Sequence, residues 1–121
     1  MTAAHDVHLN LDPAMHECIH NCSDCHDICL QTIGHCLSKG GMHAEASHIR
    51  TLMDCVQACE ASRDFMLRGS PMHHLVCGTC AEACRACAES CDAMADDETM
   101  RRCAETCRRC EASCRRMAAH A

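Results

Sequence analysis

Between Cys77 and Cys91 the chain reads CGTCAEACRACAESC, and its five thiols recur at steps of three, four, three and four residues. Residues three and four apart are neighbours on one face of an α-helix, so this spacing predicts a helix with a continuous sulfur stripe. Most helical proteins carry leucine there. A ladder of soft metal ligands occupies the stripe instead, and it has to be a core, a disulfide framework or a metal site.

The same step runs through three further segments. Asp12-Pro13 reads as a helix start, with Asp12 as N-cap and Pro13 at the first helical position, and Met15, Cys18, Cys22, Cys25, Cys29, Thr32 and Cys36 follow before Lys39-Gly40-Gly41 ends the run. A cysteine-poor stripe of His48, Leu52, Cys55, Cys59, Ser62 and Met66 comes next and stops at Gly69. Ser70-Pro71 repeats the cap-plus-proline start for His73, Cys77, Cys80, Cys84, Cys87, Cys91 and Met94. After the acidic junction Asp96-Asp97-Glu98, the last stripe holds Met100, Cys103, Cys107, Cys110, Cys114 and Met117.

Helices over about residues 13–39, 43–68, 71–95 and 97–118, joined by short loops, predict an all-α, antiparallel up-down-up-down four-helix bundle with a cysteine-lined core. Residues 1–11 are expected to form an N-terminal arm and 12–121 the bundle. Antiparallel packing then layers the thiols. Cys22, Cys59, Cys80 and Cys110 share one layer; Cys25, Cys55, Cys84 and Cys107 the next; Cys29, Leu52, Cys87 and Cys103 a third. Cys18, Cys77 and Cys114 sit outside the first with Ser62 or Met66. One end of the tube is expected at Met15, Met66, His73 and Met117, and the other at Thr32, Cys36, His48, Met94 and Met100.

Composition narrows the chemistry. Leu, Ile, Val and Phe total 15 of 121 residues against 16 cysteines, so an ordered chain needs cysteine to do the packing of leucine. The formal charge of −6 and a single aromatic among Phe, Trp and Tyr argue against a nucleic-acid partner. No apolar run reaches membrane-spanning length, and the first residues show neither a basic n-region nor an apolar h-region. The expected address is the cytoplasm, where thiols stay reduced and bind metal in preference to pairing.

Helix neighbours at i,i+3 and i,i+4 have Cβ atoms roughly 5–6 Å apart, whereas a disulfide needs about 3.8 Å. Two-coordinate Cu(I) separates its sulfurs by roughly 4–4.5 Å if its bonds match or slightly undercut zinc–sulfur lengths, which i,i+4 pairs such as Cys18/Cys22 and Cys25/Cys29 reach by rotating χ1. Cys36 and Cys77 alone lack an i±4 thiol. Soft thiolate donors select Cu(I), with zinc the main competitor. Iron–sulfur clusters are disfavoured because the thiols lie on helix faces and not on a wrapping loop. A thiol redox sensor stays open as an alternative, as does a zinc or iron–sulfur structural protein. No nucleophile–base pairing calls for an enzyme.

With these ladders, residues 12 to 118 resemble the bacterial copper storage proteins, four-helix bundles whose core cysteines hold many Cu(I) ions. The resemblance implies high-capacity Cu(I) storage or buffering in the cytosol, multiple ions per chain, a homotetramer, and all sixteen cysteines as ligands; His48 and His73 are candidate mouth ligands from their place on the stripes and not from the resemblance. A copper chaperone or a small-molecule thiol is the implied exchange partner.

Off the stripes, His16, His20, His26 and His35 read as solvated surface. The pairs Arg101-Arg102, Arg108-Arg109 and Arg115-Arg116 read as a solvated face or a subunit contact. Second apolar lines, Ile19, Leu30, Ile33 and Leu37 on the first helix and Ile49, Met53 and Val56 on the second, are expected to face another subunit.

Overall fold

Neutral thiols are small, apolar and close-packing, so helices faced with them can approach one another without leaving voids. In the computed structural model, which describes residues 8–119, they do so as four helices: α1 (Pro13–Lys39), α2 (Ala46–Leu67), α3 (His73–Asp92) and α4 (Glu98–Ala119). Helices adjacent in sequence pack on one another, and α4 closes back on α1. No strand occurs among the described residues, and the all-α four-helix bundle with a cysteine-lined core is the observed fold. The first seven residues of the expected arm lie outside the described residues.

Helix starts differ from the pattern for local reasons. Pro13 holds N1 of α1 as expected, but Asp12 makes no side-chain cap; only its carbonyl serves, accepting the His16 N–H at 2.9 Å. A 3-10 turn over Gly41–Ala44 absorbs the residues before α2, which begins at Ala46 and not near residue 43. Pro71 stays in the turn ahead of α3. The Ser70 hydroxyl instead accepts the Met72 N–H at 3.1 Å, and the helix begins two residues later than the cap-plus-proline signal suggests. Asp97 caps α4 in full, its Oδ1 accepting the N–H groups of Thr99 and Met100 at 2.8 and 3.3 Å.

Two glycines end helices in the left-handed region that side chains avoid. Gly40 has φ 74° and Gly69 φ 67°. After Gly69, the Ser70 N–H reaches back to the Phe65 carbonyl at 3.0 Å, closing α2 with a Schellman-type bond.

All sixteen cysteines are fully buried, together with Ile19, Leu52, Met66, Met100, Thr32 and Ser62. The second apolar lines divide where they were expected to stay together. Ile19 and Val56 are core residues, and Ile33 and Ile49 pack partly buried against the core, because the buried face of a bundle helix is wider than its a/d seam. Leu30, Leu37 and Met53 do remain largely exposed. The arginines lie on a solvated face and tie α4 to its neighbours: Arg108 pairs with Asp92, Arg115 with Glu82 and Glu111, and Arg116 with Glu17.

Candidate metal centre

Because every thiol points at the bundle axis, the layers meet sulfur to sulfur. In the first, Cys22–Cys110, Cys59–Cys80 and Cys59–Cys110 lie at 3.7, 3.7 and 3.8 Å. In the second, Cys25 reaches Cys55 at 3.5 Å, Cys107 at 3.6 Å and Cys84 at 3.9 Å. In the third, Cys29 is 3.8 Å from both Cys87 and Cys103. Outside the first layer, Cys18 meets Cys114 at 3.6 Å, and the Ser62 hydroxyl, not Met66, fills the fourth place, 3.2 Å from Cys77 and 3.9 Å from Cys114. Cys91 sits beyond Cys87 and Cys103, which both hold its thiol above the ordinary range.

The closest sulfur pairs run between helices. Along single helices Cys25–Cys29, Cys80–Cys84 and Cys110–Cys114 are 4.0, 3.9 and 3.9 Å apart, so the i,i+4 steps chiefly link one layer to the next. Spacing alone gives weight to the single-helix pair, because it does not encode how far facing helices push their thiols together. All sixteen cysteines are free.

Thiols within reach of a common ion form overlapping sets: Cys25, Cys55, Cys59 and Cys84; Cys25, Cys29, Cys55 and Cys107; Cys29, Cys87, Cys103 and Cys107; Cys59, Cys80, Cys84 and Cys110; Cys22, Cys80, Cys110 and Cys114. Each shares two members with at least one other set, and Cys25, Cys55, Cys59 and Cys84 link the two halves of the column. The column is therefore continuous, and the sets that share no member, Cys25/Cys55/Cys59/Cys84, Cys29/Cys87/Cys103/Cys107 and Cys22/Cys80/Cys110/Cys114, leave Cys18, Cys36, Cys77 and Cys91 outside any four-thiol site of their own.

Protons are shared along it. Cys110 and then Cys114 hydrogen-bond Cys22 and hold it below the ordinary thiol range, while Cys29 is held above that range by its bonds to Cys103 and Cys107. At the far end, burial and then the Asp97 carboxylate push Cys36 up to about 11. Burial likewise lowers the pKa of His48, which keeps its imidazole neutral and able to accept or ligate.

The two ends of the column are unequal. At one, the Cys36 sulfur lies 3.4 Å from His48 Nε2 and 3.6 Å from the Met100 sulfur, so thiol, imidazole and thioether converge, while Thr32 turns its hydroxyl to the Ile28 carbonyl. His48 is oriented through a 2.6 Å hydrogen bond between Nδ1 and the Ser90 hydroxyl, a partner that only the α2–α3 register reveals. Beside this end, Asp97 draws in His35 at 2.8 Å, His43 at 3.3 Å and Lys39 at 3.7 Å, tying the close of α1 and the 3-10 turn to the start of α4. At the opposite end Met66 and Met117 are buried, and His73 Nδ1 bonds the Ser70 carbonyl at 3.0 Å, with no hydrogen bond from His73 to a thiol among the described residues.

Fold and site together define a class, that of four-helix bundles whose interior is a column of free thiols suited to soft metal. A family model for copper storage proteins matches residues 12–119. The chain belongs to the copper storage protein family. A protein of Nitrosospira multiformis is similar at 44% identity, covering 92% of this chain and 100% of its own, with a TM-score of 0.86. The copper storage protein Ccsp of Streptomyces lividans, in a form loaded with 10 copper equivalents, is 32% identical over 92% of each chain, with a TM-score of 0.83. The Cu(I)-bound copper storage protein BsCsp3 is 32% identical, covering 84% of this chain and 94% of its own, with a TM-score of 0.77. No curated protein sequence is similar enough to count as a match.

Proposed function

We propose that this chain stores and buffers Cu(I), with Cys18, Cys22, Cys25, Cys29, Cys36, Cys55, Cys59, Cys77, Cys80, Cys84, Cys87, Cys91, Cys103, Cys107, Cys110 and Cys114 as bridging thiolate ligands. The observation that carries the reading is the overlap of the thiol sets. A tetrahedral zinc site at 2.3 Å wants sulfurs about 3.8 Å apart, so distance alone suits zinc as well. Charge separates the two. Four divalent ions each held by four thiolates leave the dry core with a net charge of about −8, a prohibitive burial, whereas one monovalent ion per bridging thiolate leaves it near neutral. Sharing of thiols between sets suits the low coordination number of Cu(I) for the same reason.

His48 joins Cys36 and Met100 as a mouth ligand, and metal enters at that end, where the donors grade from thioether and imidazole to thiol. His73 is the weaker of the two histidine ligands, being held by Ser70. No catalytic role is assigned; the chemistry is ligand exchange, with a thiol proton leaving for each Cu(I) that binds. Sixteen free thiols require a reducing compartment, which supports a cytoplasmic address and delivery or removal of copper by a chaperone or a small-molecule thiol. No helix among the described residues is long and apolar enough to cross a membrane. The exposed line of Leu30, Leu37 and Met53 supports assembly, as a tetramer on the family pattern; a monomer at micromolar concentration in ultracentrifugation would count against it.

Anaerobic Cu(I) titration of the reduced protein against a chromophoric chelator tests the function. More than ten ions per chain are expected. Saturation at four or fewer would sink the storage reading and favour zinc.

A further inference from the structure

Three histidines outside the thiol column come together on the outer side of the bundle. His16 and His20 are one helical turn apart on α1, and His8, from the segment ahead of the helix, closes over them. The ring centroids are 4.6 Å apart for His8–His16, 4.6 Å for His16–His20 and 4.8 Å for His8–His20. Tetrahedral coordination by three imidazoles at about 2.0–2.1 Å places ring centroids about 5 Å apart, so the three rings already stand within a few tenths of an ångström of the spacing a tri-imidazole ligand set needs. His20 is exposed and His8 and His16 are half-buried, so one side of the set is open to solvent for a water or an incoming ligand.

We propose that His8, His16 and His20 form a second metal site, for a borderline divalent cation of the Zn2+ type, separate from the thiol column. The donor chemistry carries the distinction. Imidazole suits Zn2+, Cu2+ and Ni2+, whereas the all-thiolate interior selects monovalent copper, so the two sites sort different ions on one chain. By sequence pattern His16 and His20 read as surface residues because they lie off the sulfur stripe, whereas His16 is half-buried in the fold. Only the fold of the segment carrying His8 brings a third ring to the i,i+4 pair, and the chain's formal charge of −6 favours a cation at such a surface.

The test follows imidazole nitrogen resonances of the full-length, reduced, metal-free protein during anaerobic addition of Zn2+, so that uptake by thiols and by imidazoles is read separately. The expected result is that the rings of His8, His16 and His20 shift together with one Zn2+ per chain while His26 and His74 do not move. His16→Asn and His20→Asn should each weaken that step at least tenfold, and His26→Asn should leave it unchanged. Rings that stay still at millimolar Zn2+, or that shift independently so that His16→Asn leaves the responses of His8 and His20 intact, would overturn the proposal and leave the cluster a packed stack of rings.

Discussion

Replacing Cys25 by alanine is the most discriminating single perturbation of the column. Cys25 lies at 3.5–4.0 Å from Cys55, Cys107, Cys84 and Cys29, and it belongs to two of the overlapping sets. In the metal-free protein the change removes one buried sulfur and leaves a void smaller than that of a Leu→Ala change, a loss of about 1–2 kcal/mol. For a domain of this length that is a fall in Tm of roughly 4–8 °C, readable by calorimetry. The loaded protein responds differently. Cys55 keeps Cys84, Cys107 keeps Cys29, and Cys29 keeps Cys87 and Cys103, so bridging can reroute around the gap. With one negative charge fewer, a charge-balanced core should hold about one Cu(I) fewer, measured as ions per chain in the anaerobic chelator competition. Isolated four-thiol sites would instead fall apart as units. A loss of four or more ions from this one substitution, or no loss at all, would refute the shared-bridge argument.

Three further outcomes follow from the same geometry. Ser62→Cys completes the outermost layer with Cys18, Cys77 and Cys114 and should raise Cu(I) capacity by about one ion; an unchanged capacity would mean that this layer does not bind. Cys36, pushed up to about 11 in the fold from an ordinary value of 9.0, contributes stability that is whole below pH 9 and lost as pH rises towards 11, so urea midpoints of the metal-free protein should fall across that window. Asp97→Ala removes the α4 cap together with the partner of His35, and should cost about 1–2 kcal/mol in chemical denaturation from the cap alone.

The ladder made the bundle legible because a period of three and four is a statement about one helix face, and four such faces have few ways to pack. The antiparallel register followed from the loop lengths, which is why Cys22 was expected beside Cys110 and is found 3.7 Å from it. What stayed hidden depends on atoms that spacing does not encode. Ser90 reaches His48 only through the α2–α3 register, and Asp97 gathers His35 and His43 only once the 3-10 turn has folded back. Ile19 and Val56 read as subunit contacts if the sulfur stripe alone fills the interior; thiols are small, and these flanking aliphatic side chains are drawn in to complete it.

That filling bears on how a store can work. Classical zinc fingers have so little core that metal supplies the folding energy and the apo chain is unfolded. A store on that plan would unfold each time it emptied. Here Ile19, Leu52, Val56, Met66, Met100 and Met117 are buried along with sixteen thiols that pack as small side chains, so the frame does not depend on its cargo. The metal-free protein should therefore keep its helical circular dichroism through filling, with Cu(I) raising thermal stability step by step. A coil that becomes helical only on adding copper would show that the thiol column is made by the metal and not merely occupied by it.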